Sequence, residues 1–238
     1  MTSKGATRDG TGTARKRIAL VVPSSNSVME NDLHASLPKE IYTVHTDRMY
    51  LVETTREAEI RMIEQFAPQA AADLGTLNPD LFVFGCTSAG SLFGLDYDHA
   101  VCRKLGDLAG CPAQGVVSAV SDAIARAGTE RIAIITPYNE DLTRSVADAV
   151  SGERRIITAA HGMGITVNVA LADPTPDDIV AFAQDRLAGI AFDLLFVSCT
   201  NFRALEARSE LERRFGKPVI TSNSAVVDAI RLRCEEQR

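Results

Sequence analysis

DLFVFGCTS at 80–88 returns as DLLFVSCTN at 193–201. Each copy is a short apolar run that ends on a cysteine followed by small polar residues. A run this short, apolar at every position, suits a strand buried on both faces of a parallel sheet. Outward from it, the repeat continues. RIALVVP at 17–23 returns as RIAIITP at 131–137, and SAVSDAI at 118–124 returns as SAVVDAI at 224–230. GCPAQGVV precedes the last segment in one copy and GKPVITSN in the other. The order is the same in both halves: start strand, cysteine strand, short strand, helix. The copies lie about 110 residues apart, far beyond the 20–50-residue periods of solenoids. The chain therefore reads as two similar lobes, each presenting one thiol at an equivalent place.

Short runs rich in Val and Ile at 17–22, 43–51, 80–85, 113–117, 131–136, 155–160, 193–198 and 217–221 are read as strands. Helical spacing is read over 54–76, 98–109, 118–128, 139–150, 176–189, 203–215 and 223–235. Alternating β and α segments of this kind give an α/β class, here two pseudo-symmetric, doubly wound parallel-sheet lobes with the active site in the cleft between them. Residues 1–16 form a polar tail expected to be disordered. The first lobe spans 17–128 and carries Cys86. The second spans 129–238 and carries Cys199, its last helix free to pack back on the first lobe.

Composition narrows the function classes. The chain has 238 residues, a net charge of −6 and a pI near 5.3. It lacks the basic stripe that nucleic acid or a membrane surface would require. No apolar run approaches the length of a transmembrane helix. The tail has no apolar centre and does not read as a signal peptide, so a cytoplasmic location with reduced thiols is expected. The five cysteines show no C-x-x-C pairing, and His34, His45, His99 and His161 are scattered, so no metal site is expected. No G-x-G-x-x-G or Walker motif is present.

In doubly wound sheets, ligands bind beyond the carboxyl ends of the strands. That edge gathers Pro23-Ser24-Ser25-Asn26, Cys86-Thr87-Ser88, Pro137-Tyr138-Asn139 and Cys199-Thr200-Asn201. Cys102, Cys111 and Cys234 read as core residues. Cys86 and Cys199 share one position of the repeat, where a strand gives way to a helix, a setting expected to lower a thiol pKa. Two such thiols across a cleft form a pair of proton donor and acceptor, or of nucleophile and acid. Ser25 and Asn26 read as part of a carboxylate cradle. Tyr138, at the repeat position of Ser24, reads as a hydrogen-bond donor to substrate. Asn168, in GITVNVALADP, reads on its own as turn chemistry.

VPSSNSVME at 22–30, GCTS at 85–88, TPY at 136–138, the Asn168 loop and SCTN at 198–201 resemble the maleate cis–trans isomerase branch of the aspartate/glutamate/hydantoin racemase superfamily. The resemblance covers about residues 17–232. It implies that Cys86 adds to the double bond of a cis-enedioate and that Cys199 is the paired acid/base. It implies further that Asn26, Tyr138 and Asn168 bind the carboxylates, with Thr87, Ser88, Thr200, Asn201 and backbone N–H groups completing the cradle. No cofactor would be needed, the partner would be a small carboxylate, and a homodimer or higher homo-oligomer would be usual. Thr200-Asn201 depart from the bulkier, more apolar residues of maleate isomerases, and SCTNFRA also resembles ectoine-utilisation proteins of the superfamily. Arylmalonate decarboxylases are similar but carry glycine at the first cysteine, and Cys86 argues against that chemistry. Two further readings stand beside the isomerase: a two-thiol racemase or epimerase of an acidic amino acid or hydantoin, and a non-catalytic small-anion binder.

Overall fold

The computed structural model describes residues 15–152 and 154–235. Of the expected tail, residues 1–14 lie outside that range, and Lys16 already belongs to the first strand. Two four-stranded sheets form, every neighbouring pair parallel. The first runs β2 (Tyr42–Met49), β1 (Lys16–Pro23), β3 (Leu81–Phe84), β4 (Ala113–Gly115). The second runs β6 (Ile156–Gly162), β5 (Arg131–Thr136), β7 (Leu194–Val197), β8 (Val219–Thr221) in the matching order. All eight expected strands are present, and the doubly wound α/β class holds.

The apolar runs are buried for the reason their composition suggested. In β1, Ala19 and Val21 join Phe82 and Phe84 of β3 in a core under helices α3 (Ala67–Gly75) and α5 (Leu95–Ala109). Ile18, Leu20 and Val22 face the other way, toward Met29 and Leu33 of α1 (Met29–Ser36) and Val116 and Val120 of α6 (Val116–Ala127). Both faces are thus covered, and each fully buried Ile, Val or Phe contributes about 1.5–3 kcal/mol. This second core continues without a break into Ile132, Ile134, Leu195 and Val197 of the other sheet. The bridge between sheets is α10 (Ser222–Glu235), which packs against α6 and α1.

Three helical details differ from the sequence reading. The helix expected over 54–76 is divided into α2 (Arg56–Arg61), a π-helical turn (Met62–Phe66) and α3. Pro68, in the first turn of α3, has no N–H to continue the ladder, so the break has a local cause. Helix α1 was not among the expected helices. Its N-terminus is held by Asn26, whose Oδ1 accepts from Val28 N (3.1 Å) and Met29 N (3.0 Å). A short helix, α4 (Thr87–Ser91), follows Cys86 directly. The remaining helices, α7 (Glu140–Val150), α8 (Pro176–Arg186) and α9 (Ala204–Phe215), fall where helical spacing placed them. Among the described residues, no helix is long and apolar enough to cross a membrane.

Candidate active site

The carboxyl ends of β3 and β7 deliver the two cysteines to one place. Cys86 sits in extended backbone (φ −138°, ψ 114°) as the N-cap of α4. Gly85 before it is required: a Cβ there would lie 2.7 Å from the Val21 carbonyl oxygen. The Cys86 Sγ is 3.6 Å from the Ser88 hydroxyl. Cys199 differs, with φ at +105°, a region that L side chains rarely adopt. Its backbone is pinned there. Its N–H donates to Ser222 Oγ (3.0 Å), and its Sγ accepts from Asn201 N (3.3 Å).

Most of the expected binding residues fall in separate hydrogen-bonded groups that cross between the lobes. Asn26 Nδ2 donates to Thr200 Oγ1 (3.1 Å), which donates to the Gly85 carbonyl (3.1 Å). Thr87 Oγ1 donates to Ser222 Oγ (3.1 Å). Asn201 accepts from Ser27 N (2.8 Å) and donates to the Asn168 carbonyl (2.8 Å). Asn168 Nδ2 donates to Ser25 Oγ (2.6 Å), and Ser25 Oγ donates to the Leu51 carbonyl (3.1 Å). The amides of Asn26 and Asn201 are therefore spent largely on joining the lobes. What remains for a ligand is the second N–H of each amide, the Ser88 hydroxyl and the phenol of Tyr138.

Tyr138 is buried beside the thiols. Gly162 makes room for it, since a Cβ on Gly162 would strike the Tyr138 carbonyl. Its phenol titrates well above its ordinary value, chiefly through burial and then through the charges of Cys199 and Cys86. The thiols share that behaviour. Burial pushes Cys86 up to about 12, and the Glu59 charge adds to it, against smaller opposing pulls from the Ala89 backbone and Ser88. Burial likewise pushes Cys199 up to about 12, while the Tyr138 phenol and the Asn201 N–H hold it down in part. The expectation that the start of a helix lowers these pKa values is not met. Helix α4 is one turn long, and its field is outweighed by loss of solvent around a thiol that is 3% exposed.

Glu59, on the inner face of α2, was missed by the sequence reading. It is 0% exposed, and neither carboxylate oxygen has a hydrogen-bond partner. Ser88 faces it from beyond hydrogen-bonding distance and eases its ionisation only slightly. Burial raises it from 4.5 to about 7. A signal existed: Glu59 lies three and four residues before Met62 and Ile63, on the buried stripe of the helix.

Over the cleft, residues 50–55 meet 165–169. Glu53 and Val167 form an antiparallel bridge, and Asn168 N donates to the Val52 carbonyl (3.0 Å). A groove of about 510 Å³, lined in part by Leu51, Val52, Thr55 and Arg61, runs along the outside of this strap. Among the described residues, no three His, Cys, Asp or Glu side chains converge as metal ligands do.

Comparison with known proteins agrees with this geometry. A maleate isomerase of Geobacillus stearothermophilus is 24% identical over 223 residues, covering 89% of this chain and 88% of that protein. An arylmalonate decarboxylase of Bordetella bronchiseptica is 28% identical over 148 residues, covering 61% and 62%. A solved Nocardia farcinica maleate cis–trans isomerase, a cysteine-to-serine variant with a covalently bound succinylcysteine intermediate, superimposes with a TM-score of 0.85 at 22% identity, covering 93% of this chain and 94% of that one. The arylmalonate decarboxylase family profile matches residues 18–237, and the chain belongs to that family, with the fold its maleate isomerase and decarboxylase structures share.

Proposed function

We propose that the protein is a cofactor-independent cis–trans isomerase of a small cis-enedioate, of which maleate is the simplest, working with Cys86 as nucleophile and Cys199 as acid/base. The observation that carries this reading is the pair of buried thiols at equivalent strand ends, beside a phenol and among hydrogen-bonded amides and hydroxyls. Cys86 starts ionised, having lost its proton to solvent, and Cys199 starts protonated. The Cys86 sulfur bonds to one alkene carbon, and the π pair moves to the neighbouring carbon and its carboxylate. Cys199 protonates that carbon. The carbon–carbon bond is now single and rotates. Cys199 takes the proton back, the C–S bond breaks, and Cys86 leaves as thiolate from the trans alkene. No electrons are gained or lost overall.

The site residues have distinct parts in this scheme. Tyr138 supports the thiolate that Cys199 becomes, and donates toward the developing enediolate. The free amide N–H groups of Asn26 and Asn201 and the Ser88 hydroxyl orient the carboxylate end, while Ser25, Thr87, Thr200 and Asn168 hold in place the segments that carry them. Because each thiol is 3% exposed, substrate access requires the Glu53–Val167 strap to part. With its pKa at about 12, Cys86 is mostly protonated at neutral pH, so turnover draws on the small fraction whose proton has gone to solvent and should rise with pH.

Proton NMR of the purified protein with maleate tests the reading. Fumarate should appear with the native chain and not with Cys86→Ala. Exchange of the α-proton of aspartate or glutamate, with no fumarate, would replace the isomerase by the racemase.

A further inference from the structure

Glu59 has no part in the scheme above, yet it is the only group of its kind at the thiols. Its helix α2 packs on α4, where the Ser88 hydroxyl lies 3.6 Å from the Cys86 sulfur, which puts the buried carboxyl on the Cys86 side of the site, and its charge acts on both thiols and on the Tyr138 phenol. It is 0% exposed, and both oxygens lack a partner. Among the described residues, no ion pair reaches it. A buried carboxylate is costly unless something donates to it. Ser88 opposes the cost only in part and leaves both oxygens without a partner within hydrogen-bonding distance. A donor brought by the ligand would supply one.

The rest of the site sharpens the point. Among the described residues, the groups placed around the thiols above are amides, hydroxyls and one phenol, and none of these carries a positive charge that would offset a second carboxylate. A second carboxylate placed against Glu59 would meet a like charge in a medium that screens it poorly.

We infer that Glu59 makes this a site for a substrate with one carboxylate and, at the other end, a nitrogen-borne hydrogen-bond donor, as in the monoamide of a cis-enedioate, in preference to a dianion. The inference rests on the reading that the cleft between Cys86 and Cys199 is the substrate site. It changes the substrate class within that reading and leaves the sulfur chemistry as it is. A carboxamide N–H then satisfies Glu59, and the diacid, which lacks that donor, binds more weakly. Sites built around a hydrogen bond reject analogues that lack it far more strongly than apolar pockets reject a missing methylene.

Saturated probes separate this from turnover. Succinamate and succinate differ only in carboxamide for carboxylate, and neither has a double bond to isomerise. Calorimetric titration of the full chain at pH 8.5 should show succinamate binding tighter by about tenfold or more, and Glu59→Gln should narrow the ratio to within about threefold. The native chain supplies a second measurement should that variant fold poorly. The groups facing Glu59 are Cys86 at the end of β3, Cys199 at the end of β7 and Tyr138 after β5, all of which titrate far above neutrality. Arg56, Glu57 and Arg61 on its own helix point to solvent. Between pH 8.5 and 6.5, then, Glu59 alone among these groups changes state while succinate stays largely doubly ionised, and the preference should shrink. Equal or tighter binding of succinate, a ratio unmoved by Glu59→Gln, or binding by neither ligand would overturn the inference. Failure to isomerise both maleate and maleamate would count against the sulfur chemistry and leave this binding result intact.

Discussion

The ends of β3 and β7 are nearly the same in sequence and are built differently. After β3 the chain stays in ordinary extended backbone, and Cys86 caps the short helix α4 with only a long contact to Ser88. After β7, Cys199 is held at φ +105°, its N–H tied to Ser222 and its sulfur accepting from Asn201 N. No helix begins there until Ala204. Under the proposed scheme the first sulfur bonds to carbon and lets go, while the second passes the proton, so that a duplicated fold would carry two thiols of equal burial and unequal duty.

The largest effects should come from exchanging the cysteines' fates. Cys86→Ala should lower turnover by about 10⁴-fold or more, since no bond to sulfur can form. Cys199→Ser should lower it by about 10³-fold while still allowing a covalent adduct on Cys86 to build up. Equal behaviour of the two variants in an adduct assay by mass spectrometry would break the comparison.

Next is Glu59, which stands on the Cys86 side. Its folded pKa, about 7, lies above its ordinary 4.5, so the protonated form is favoured on folding. Its contribution to stability is therefore complete below pH 4.5 and is lost as pH rises through 7. The loss amounts to about 3 kcal/mol. Glu59→Gln should be the more stable protein at pH 8 by roughly that amount in urea unfolding, and the gap should close near pH 5. A gap independent of pH would show that the carboxyl is paired after all.

Tyr138→Phe should cost about 10²-fold in kcat. The loss should fall on the proton step, because the phenol holds down Cys199, so adduct formation on Cys86 should stay close to native in single-turnover quench experiments. The smallest expected effect concerns backbone alone. Cys199→Gly relieves a positive φ and Cys86→Gly does not, so the first should melt as the more stable by about 1–2 kcal/mol.

What the sequence disclosed and what it withheld follow from the same physics. The strands were legible because strands covered on both faces must be apolar at every position, as LFVF and LLFV are. The pairing of Cys86 with Cys199 was legible because the repeat placed them at one register. Helix α1 was not, since MENDLHAS is short and mostly polar, and its stop and start depend on Asn26 capping it from outside. The break at Pro68 was written in the chain and was passed over, because the apolar spacing on either side stays in phase well enough to read as one helix. Thiol pKa values were misjudged for a more general reason: a helix start is a local signal, whereas burial at 3% exposure is a property of the closed cleft. Glu59 sits among the charges of TREAEIR, and only the packing of α2 separates it from Glu57, which points to solvent.

The most direct test of the unequal-thiol account is to incubate Cys199→Ser with maleate and with maleamate and locate the bound mass by peptide sequencing. The account predicts one equivalent of ligand joined to Cys86, and none in Cys86→Ala treated alike. An adduct on another residue, or fumarate formed by Cys86→Ala, would contradict it.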